Sequence, residues 1–324
     1  MHRHLTRQRG VAVVTAMLLT TLAISIVASL FWQQQVQVRS MENQRLQSQT
    51  KWIQRGALDW ASVILRVNNN SNYTSLDQVW ATPLAETRLD QYIERERIQG
   101  ENFDASLSGQ VLDATARYNL NNLAKGGTPD KAEIEVMRRL LTNLRLEARL
   151  AQPIAEFVAA GQPLVAEPPP EGTPPVAQKP RTGAPMRLER VDDLLMVPGL
   201  KPEAVERLRP FVIVLPASNT EVNVNTAAPE VLAAVLPGSS MAEANSIVAQ
   251  RQRVPWADVG IFKASLPNMP AESQPKITVK STYFLVQSRI RLDRAALDAE
   301  SLVRVGGSNL INPGSVNVIW TRQN

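Results

Sequence analysis

Hydrophobic and polar positions divide the chain into a long apolar N-terminal run, a mixed middle and an alternating tail. The apolar run covers residues 11–32, and no charged residue lies between Arg9 and Arg39. Its length matches the roughly 20 residues that a helix needs to cross a bilayer core. Basic residues precede the run and place the N-terminus on the cytoplasmic side. The pattern therefore predicts one membrane-spanning helix followed by an exported region.

Three interpretations compete for this run. A secretory signal peptide has a shorter apolar core and a small-residue cleavage site after it, whereas here Phe31-Trp32 closes a long run at the interface. A plain signal anchor is the second interpretation. The third is a prepilin leader, cut after a glycine that precedes the apolar run, and Arg9-Gly10-Val11 fits such a junction.

Helical periodicity continues beyond the apolar run. Ile53, Ala57, Trp60 and Ile64 fall on one face of a helix, and the polar run at 68–72 ends it. We predict a continuous helix from Val11 to about Arg66, about 80 Å long at 1.5 Å per residue. The alternative is two helices with a hinge near Trp32.

The middle of the chain mixes helical and alternating patterns. We expect a charged helix over residues 84–98 and two half-buried strands within 101–122. Thr128-Pro129 is typical of a helix start, and the following helix should end near Ala160-Gly161. Its apolar stripe, interpreted as core, is Ile134, Met137, Leu141 and Leu144.

Two further stretches have distinctive composition. Residues 163–185 hold eight prolines, which predicts an extended, solvated linker or long loop. Residues 277–321 alternate and are rich in β-branched and aromatic residues, which predicts strands.

Residues 188–252 contain two helix, Pro-Gly turn, helix units, at Pro198-Gly199 and Pro237-Gly238. Ser240 and Glu243 have capping-box spacing. Units of this helix–hairpin–helix type bind DNA when turn amides and positive charge meet a phosphate. Each turn here has one glycine and the second has no basic residue, so structural use of the units is favoured over DNA binding.

Amino-acid composition excludes several kinds of catalytic and metal site. The 324 residues include no cysteine, which excludes disulfides and thiolate chemistry. The two histidines, His2 and His4, both precede Gly10, so a cut chain has no His base or His metal ligand. The three arginines of residues 1–10 supply much of the formal net charge of +5, which belongs to membrane orientation and not to a nucleic-acid face.

The order of these pieces resembles the minor pseudopilin K family of type II secretion systems, also called general secretion pathway protein K. The resemblance rests on the Gly10-Val11 junction and, most strongly, on residues 188–292, including DDLLMVPGLKPEAVERLRPFV, VNVNTAAPEVLAAVLP and the terminal STYFLVQSRIRL. No single piece is specific.

The resemblance implies an α+β, pilin-like fold with a large inserted helical domain that contains the helix–hairpin–helix-like units. Mapped onto this chain, residues 1–10 are a cytoplasmic leader and 11–66 the membrane and spine helix. The pilin-like α/β domain takes 67–120 and 277–324, and the insert takes 121–276, including the Pro-rich loop at 163–185.

The resemblance also implies a comparison at the fifth residue after the cut. Most pilin-like proteins carry glutamate there, and a charge inside a membrane helix needs a partner. This chain has Thr15, whose hydroxyl can bond its own helix backbone. An uncharged residue fits a subunit with no neighbour ahead of it, although Thr15 is equally tolerable in an ordinary anchor.

Calcium binding is implied by the resemblance, but no ligands can be assigned. Calcium needs six to eight oxygen ligands from clustered groups. Glu156 and Glu167 are isolated carboxylates, and Glu189 with Asp192-Asp193 is better explained as a solvated helix start. We therefore predict no metal-ligand residues.

The resulting hypothesis is a non-enzymatic minor pseudopilin, cut between Gly10 and Val11 by a prepilin peptidase and N-methylated on Val11. It would sit in the bacterial inner membrane with a periplasmic C-terminal domain. With I- and J-type minor pseudopilins it would start and cap a pseudopilus that exports folded proteins, and secreted substrates are further candidate partners. The alternative is a membrane-anchored, competence-type DNA receptor in which Lys201, Arg207 and Arg209 contact phosphates.

Overall fold

The computed structural model describes residues 9–89, 105–163, 186–266, 269–270, 273–306 and 315–323. The fold is α+β. Within the described ranges the helices are α1 (Arg9–Asn68), α2 (Lys131–Asn143), α3 (Ala151–Gly161), α4 (Pro202–Leu208), α5 (Pro229–Val235), α6 (Met241–Arg253) and α7 (Val259–Ala264).

The strands in the same ranges form one large sheet and three small pairs. The large sheet contains β1 (Leu84–Arg88), β2 (Ala105–Asp113), β9 (Tyr283–Leu292), β10 (Ala295–Val305) and β11 (Val316–Gln323). The small pairs use β3 (Tyr118–Asn119), β4 (Ala124–Lys125), β5 (Thr128–Pro129), β6 (Val212–Ile213), β7 (Val222–Asn223) and β8 (Ile277–Thr278).

Helix α1 is continuous for 60 residues, about 90 Å at 1.5 Å per residue. The predicted continuous helix is confirmed, and there is no break near Trp32. Gly56 does not interrupt it. At the C-terminal end, the Lys280 ammonium group donates to the carbonyl of Asn69 at 2.8 Å, which satisfies one of the free carbonyls at a helix terminus.

The large sheet has the order β1-β2-β9-β10-β11, and every neighbouring pair is antiparallel. Strands β1 and β2 precede the helical region, which we define as residues 114–282, and β9 to β11 follow it. The strands predicted in the tail are confirmed in β9, β10 and β11, whereas Ile277–Thr278 pairs with β7 outside the large sheet.

Helix α1 and the helical region pack on opposite faces of this sheet. Successive side chains of a strand point to opposite faces, so Phe284 and Val286 contact α1, while Tyr283 and Leu285 contact Ile213 of the helical region. The sheet is therefore the middle layer of the described part that follows the apolar run.

The face of α1 that meets the sheet overlaps only in part with the predicted one. Ala57 is buried and Ile64 packs against the apolar cluster at the sheet, as predicted, but Trp60 is 47% exposed and its neighbour Ala61 is 1% exposed. The buried stripe is Thr50, Gln54, Ala57, Ala61 and Leu65. Small side chains lie there because the helix packs closely on the sheet, and the larger Trp60 lies at the side.

One local prediction in the middle of the chain is wrong and another is confirmed. Leu84–Arg88 is a strand and not the start of a charged helix, and residues 90–98 of that prediction lie outside the described residues. Region 101–122 has two strands, as predicted, although the second is short: β2 ends at Asp113, where the chain turns into the helical region, and β3 is only Tyr118–Asn119.

The predicted helix from Thr128 to Gly161 is two helices. Asp130, and not Thr128, caps α2, and its carboxylate accepts from the amide of Ala132 at 2.9 Å. Arg145 adopts a φ of 56°, which ends the first helix before α3. The apolar stripe of α2 is buried as predicted at Ile134, Met137 and Leu141.

The residues on either side of the proline-rich stretch lie next to each other. Residues 164–185 lie outside the described part, but its flanks are in contact. A Cβ built on Gly161 would lie 2.9 Å from the carbonyl oxygen of Met186 and 3.0 Å from the Cα of Arg187. Glycine permits this approach, and the stretch joins two adjacent points of one core.

Candidate functional site: the N-terminal helix and its junction with the helical region

The N-terminal half of α1 contacts nothing else in the described protein. Every residue from Val11 to Trp32 is exposed, and Trp32 is 71% exposed. The run is long and apolar enough to cross a membrane. Because burying this much apolar surface requires lipid or other apolar helices, the exposed half is the first functional feature of the chain.

Four hydroxyl side chains of this half are satisfied inside the helix. The Thr15 hydroxyl contacts the carbonyls of Val11 and Ala12, both at 3.0 Å. Thr20 donates to Ala16 at 2.7 Å in the same way, as do Thr21 and Ser25 to earlier carbonyls. No partner from another chain is needed for them, which suits a helix in hydrocarbon.

The Gly10-Val11 peptide lies within the first turns of α1, which begins at Arg9. The junction is thus continuous with the apolar helix. Val11, the first residue after the junction, is 70% exposed.

A buried carboxylate joins the sheet to the helical region. Asp113, at the end of β2, is 5% exposed. One of its oxygens, Oδ2, accepts from Thr226 at 2.5 Å, Ser281 at 2.6 Å and Asn223 at 3.1 Å. The other, Oδ1, accepts from the amide and hydroxyl of Thr115 at 2.8 and 2.6 Å.

Asn223 extends this network to the segment that follows α1. Its amide nitrogen also donates to the carbonyl of Thr74 at 3.0 Å and to the Ser281 hydroxyl at 2.7 Å. Asn225 holds the backbone of Trp256 with two bonds, at 2.8 and 2.9 Å. The asparagines of the VNVNT segment are therefore structural, since a buried amide must be bonded on both sides.

A second asparagine cluster holds the loop after β6. Asn119 donates to the carbonyl of Ala217 at 2.7 Å, and the Asn122 oxygen accepts from the amides of Asn219 and Thr220 at 2.8 and 2.9 Å. Sequence reasoning missed both clusters. Their signal was repeated asparagine between apolar residues, in YNLNNL and VNVNT.

The two Pro-Gly turns are present, and both glycines have positive φ, 84° at Gly199 and 78° at Gly238. The capping box of α6 is confirmed. The Ser240 amide donates to the Glu243 carboxylate at 2.7 Å, so a carboxylate occupies the position that a phosphate needs. The turn is thereby closed to a polyanion.

One of the three basic residues named for phosphate contact is already ion-paired. Arg209 bonds Asp192 at 2.5 Å and Glu206 at 2.7 Å. These two bonds raise the pKa of Arg209 and lower the pKa of both carboxyl groups. Lys201 and Arg207 are exposed. The arrangement therefore offers little net positive charge for DNA.

The acidic residues do not assemble a calcium site within the described ranges. No group of three Asp, Glu, His or Cys side chains comes together there. Glu156 accepts from Gln152 at 2.8 Å, and Asp193 accepts from the amides of Glu189 and Arg190 at 2.9 and 2.8 Å. Glu167 lies outside the described residues. The carboxylates of the described residues do not fit a calcium ion.

Comparisons with known proteins agree with this arrangement. Two family models, both described as type II secretion system (T2SS), protein K, match residues 116–217 and 222–282, together just over half of the chain. Type II secretion system protein K of Pectobacterium carotovorum subsp. carotovorum is 25% identical, over 94% of each chain. The protein of the same name from Klebsiella pneumoniae is 27% identical, over 93% of this chain and 94% of its own length.

A solved structure shares the fold. It is the crystal structure of the GspK-GspI-GspJ complex from the enterotoxigenic Escherichia coli type 2 secretion system. One of its chains matches with a TM-score of 0.62 and 20% identity, over 88% of this chain and 99% of that chain.

Proposed function

The chain belongs to the type II secretion system protein K family, and on that premise we propose that it is the minor pseudopilin at the tip of the pseudopilus. In this role it initiates and caps assembly of the pseudopilus for export of folded proteins across the outer membrane. The role is structural and not enzymatic. The fold is then a pilin-like domain, made of α1 and the large sheet, with the helical region as its inserted domain.

The observation that carries the proposal is the division of α1 into an exposed apolar half and a half packed on the sheet. The exposed half can enter a bundle of similar helices, because its hydroxyls are satisfied internally and apolar helices pack through close contacts in lipid. The packed half holds the large exported part above that bundle.

Thr15 supports a position at the tip. A charged residue at this depth costs about 2.5–3.5 kcal/mol by insertion scales unless a partner neutralises it. Thr15 carries no charge, and its hydroxyl already bonds the helix carbonyls. A subunit with no neighbour ahead of it loses nothing by this choice. The partners we propose are I- and J-type minor pseudopilins, by analogy with the solved complex.

We also propose that a prepilin peptidase cuts between Gly10 and Val11, that Val11 is then N-methylated, and that the chain sits in the inner membrane with its N-terminus in the cytoplasm. The test is the electrophoretic mobility of Gly10→Val in cells that contain the peptidase. The variant should keep its leader, while wild type and the control Gly56→Val are processed. Gly56 is a suitable control because it is exposed in the same helix and a Cβ there meets nothing within 4 Å. Normal processing of Gly10→Val would contradict the proposed cut.

The tip position itself is tested by co-purifying the full chain with tagged I- and J-type minor pseudopilins of the same source. We expect a stable complex that contains this chain once. Recovery of the two partners without this chain, from membranes in which all three are present, would refute the position.

A further inference from the structure

A cleft lined by arginines lies between the sheet and the helical region, on the side away from α1. Its volume is about 450 Å³. Leu285, Glu300 and Trp320 form the sheet side, and Arg117 with Val212 forms the opposite side. Residues 189–192 form the rim. We call this feature the arginine cleft.

Arg117 is half-buried, yet its guanidinium has no hydrogen bond or ion pair among the described residues. Burial lowers the pKa of Arg117, and the charges of Glu300 and Asp113 only partly oppose this effect. A buried charge without a bonded partner is unfavourable, and a guanidinium has five donors to satisfy. The free protein therefore holds donors that a ligand can use.

Two more arginines add positive charge to the same cleft. The Arg322 guanidinium lies 3.9 Å from the centre of the Trp320 ring and donates one bond, at 2.9 Å, to the carbonyl of Glu189. Burial lowers the pKa of Arg322 and the charge of Arg190 lowers it further, whereas the charges of Glu300, Glu189 and Asp193 oppose this effect. Arg190 is exposed at the rim. Two like charges held together favour an anion between them.

The cleft contains carboxylates too, and they restrict what it accepts. Arg209 is already paired with Asp192 and Glu206. Four arginines line the cleft against Glu189, Asp192 and Glu300, a formal surplus of one positive charge that Glu206, paired with Arg209 outside the lining, balances. A phosphate or a nucleic acid brings more negative charge than such a cleft can balance, whereas a single carboxylate needs only the unbonded donors of Arg117. The apolar sides suit the aliphatic part of a peptide.

We propose that the arginine cleft binds a carboxylate side chain of an acidic peptide segment from another protein. The Arg117 guanidinium receives the carboxylate, because its planar fork can donate two parallel bonds. Arg190 closes over it from the rim. The Trp320 face and the apolar sides hold the neighbouring residues of the peptide.

The test uses the full chain in a neutral detergent and two fluorescently labelled short peptides. One peptide alternates glutamate with alanine, and the other has glutamine in place of each glutamate. Fluorescence anisotropy reports binding at low and at moderate salt. The acidic peptide should bind and the glutamine peptide should bind at least about tenfold more weakly, since a bond to an ionised group contributes about 1.5–3 kcal/mol.

Arg117→Gln should weaken binding of the acidic peptide about tenfold or more. The matched control is Arg207→Gln, because Arg207 is exposed on α4 and does not line the cleft, and it should bind like wild type. A thermal melt distinguishes a binding role from a structural one. Arg117→Gln should melt at the same temperature as wild type or higher, since it removes an unpaired desolvated charge.

Equal affinity of wild type for both peptides, or unchanged affinity in Arg117→Gln, would overturn the proposal. So would a melting temperature of Arg117→Gln several degrees below that of wild type, which would make Arg117 a structural residue. The assay contains no secretion component, so its outcome does not depend on the proposed role at the pseudopilus tip.

Discussion

Replacing Asp113 with asparagine is the most direct perturbation of the junction between the sheet and the helical region. The change keeps the size of the side chain and removes its charge. The aspartate accepts five hydrogen bonds, three at Oδ2 and two at Oδ1. If the amide oxygen stays toward Thr115, its NH2 group faces the three donors of Thr226, Ser281 and Asn223.

The cost follows from what each donor can do next. The hydroxyls of Thr226 and Ser281 can rotate and accept from the new NH2 group, but the Asn223 amide nitrogen can only donate. Each hydrogen bond to an ionised group contributes about 1.5–3 kcal/mol to stability, and a buried donor left without an acceptor costs about 1–3 kcal/mol. Allowing for the two hydroxyls, we expect Asp113→Asn to lower the free energy of unfolding by about 3–5 kcal/mol. For a chain of this size that corresponds to a melting temperature roughly 10 °C lower.

The assay is thermal and urea unfolding of the full chain in detergent, followed by tryptophan fluorescence. Asp298→Asn is the matched control, since Asp298 lies on β10 in an exposed ion pair with Arg289 at 2.7 Å, and screening by water leaves such pairs little net effect. If Asp113→Asn unfolds within about 1 kcal/mol of wild type, the carboxylate does not hold the junction together.

Three further predictions address packing. Gly109→Ala should lower the melting temperature by several degrees in the same assay, because its Cβ would lie 2.4 Å from the Gln287 carbonyl oxygen; an unchanged melt would contradict the close approach of β2 and β9. Replacing residues 164–185 with a short Gly-Ser linker should leave the melt nearly unchanged, because the flanks of the stretch touch; aggregation of the shortened chain would count against this. Ala61→Leu should lower the free energy of unfolding by about 1–3 kcal/mol through overpacking, while Trp60→Ser should lower it by less than half as much. A larger loss in Trp60→Ser than in Ala61→Leu would mean that Trp60, and not Ala61, lies in the contact with the sheet.

The sequence predicts that α1 is a helix but does not determine which of its residues contact the sheet. The 3.6-residue period identifies a helix, but Trp60 and Ala61 are neighbours and both fit an apolar face. Close packing of a helix on a sheet selects the smaller residue for the contact, and only the sheet shows where that contact is. Apolar character by itself cannot separate a residue that packs from one that lies beside the contact.

The same reasoning applies to the polar junction. Asp113, Asn223 and Ser281 are far apart in the chain and each is an ordinary polar residue in sequence. They form one network because β2, β7 and the segment before β9 come together beside Thr74, in the segment that follows α1. The arginine cleft is also a product of tertiary structure, since Arg117 belongs to the helical region and Arg322 to β11 of the large sheet.

The sequence by itself determined the features that depend on local composition and period: the apolar run at 11–32, the continuous helix, the uncharged Thr15, the capping box at Ser240 and the strands of the tail. Local physics decides these features, because a helix or strand reports its own period and a hydroxyl can bond its own helix. Only the tertiary structure decided which face of α1 is buried, that Leu84–Arg88 pairs as a strand, and that the proline-rich stretch begins and ends at one point. Each of these depends on contacts between residues distant in the chain, which no local pattern contains.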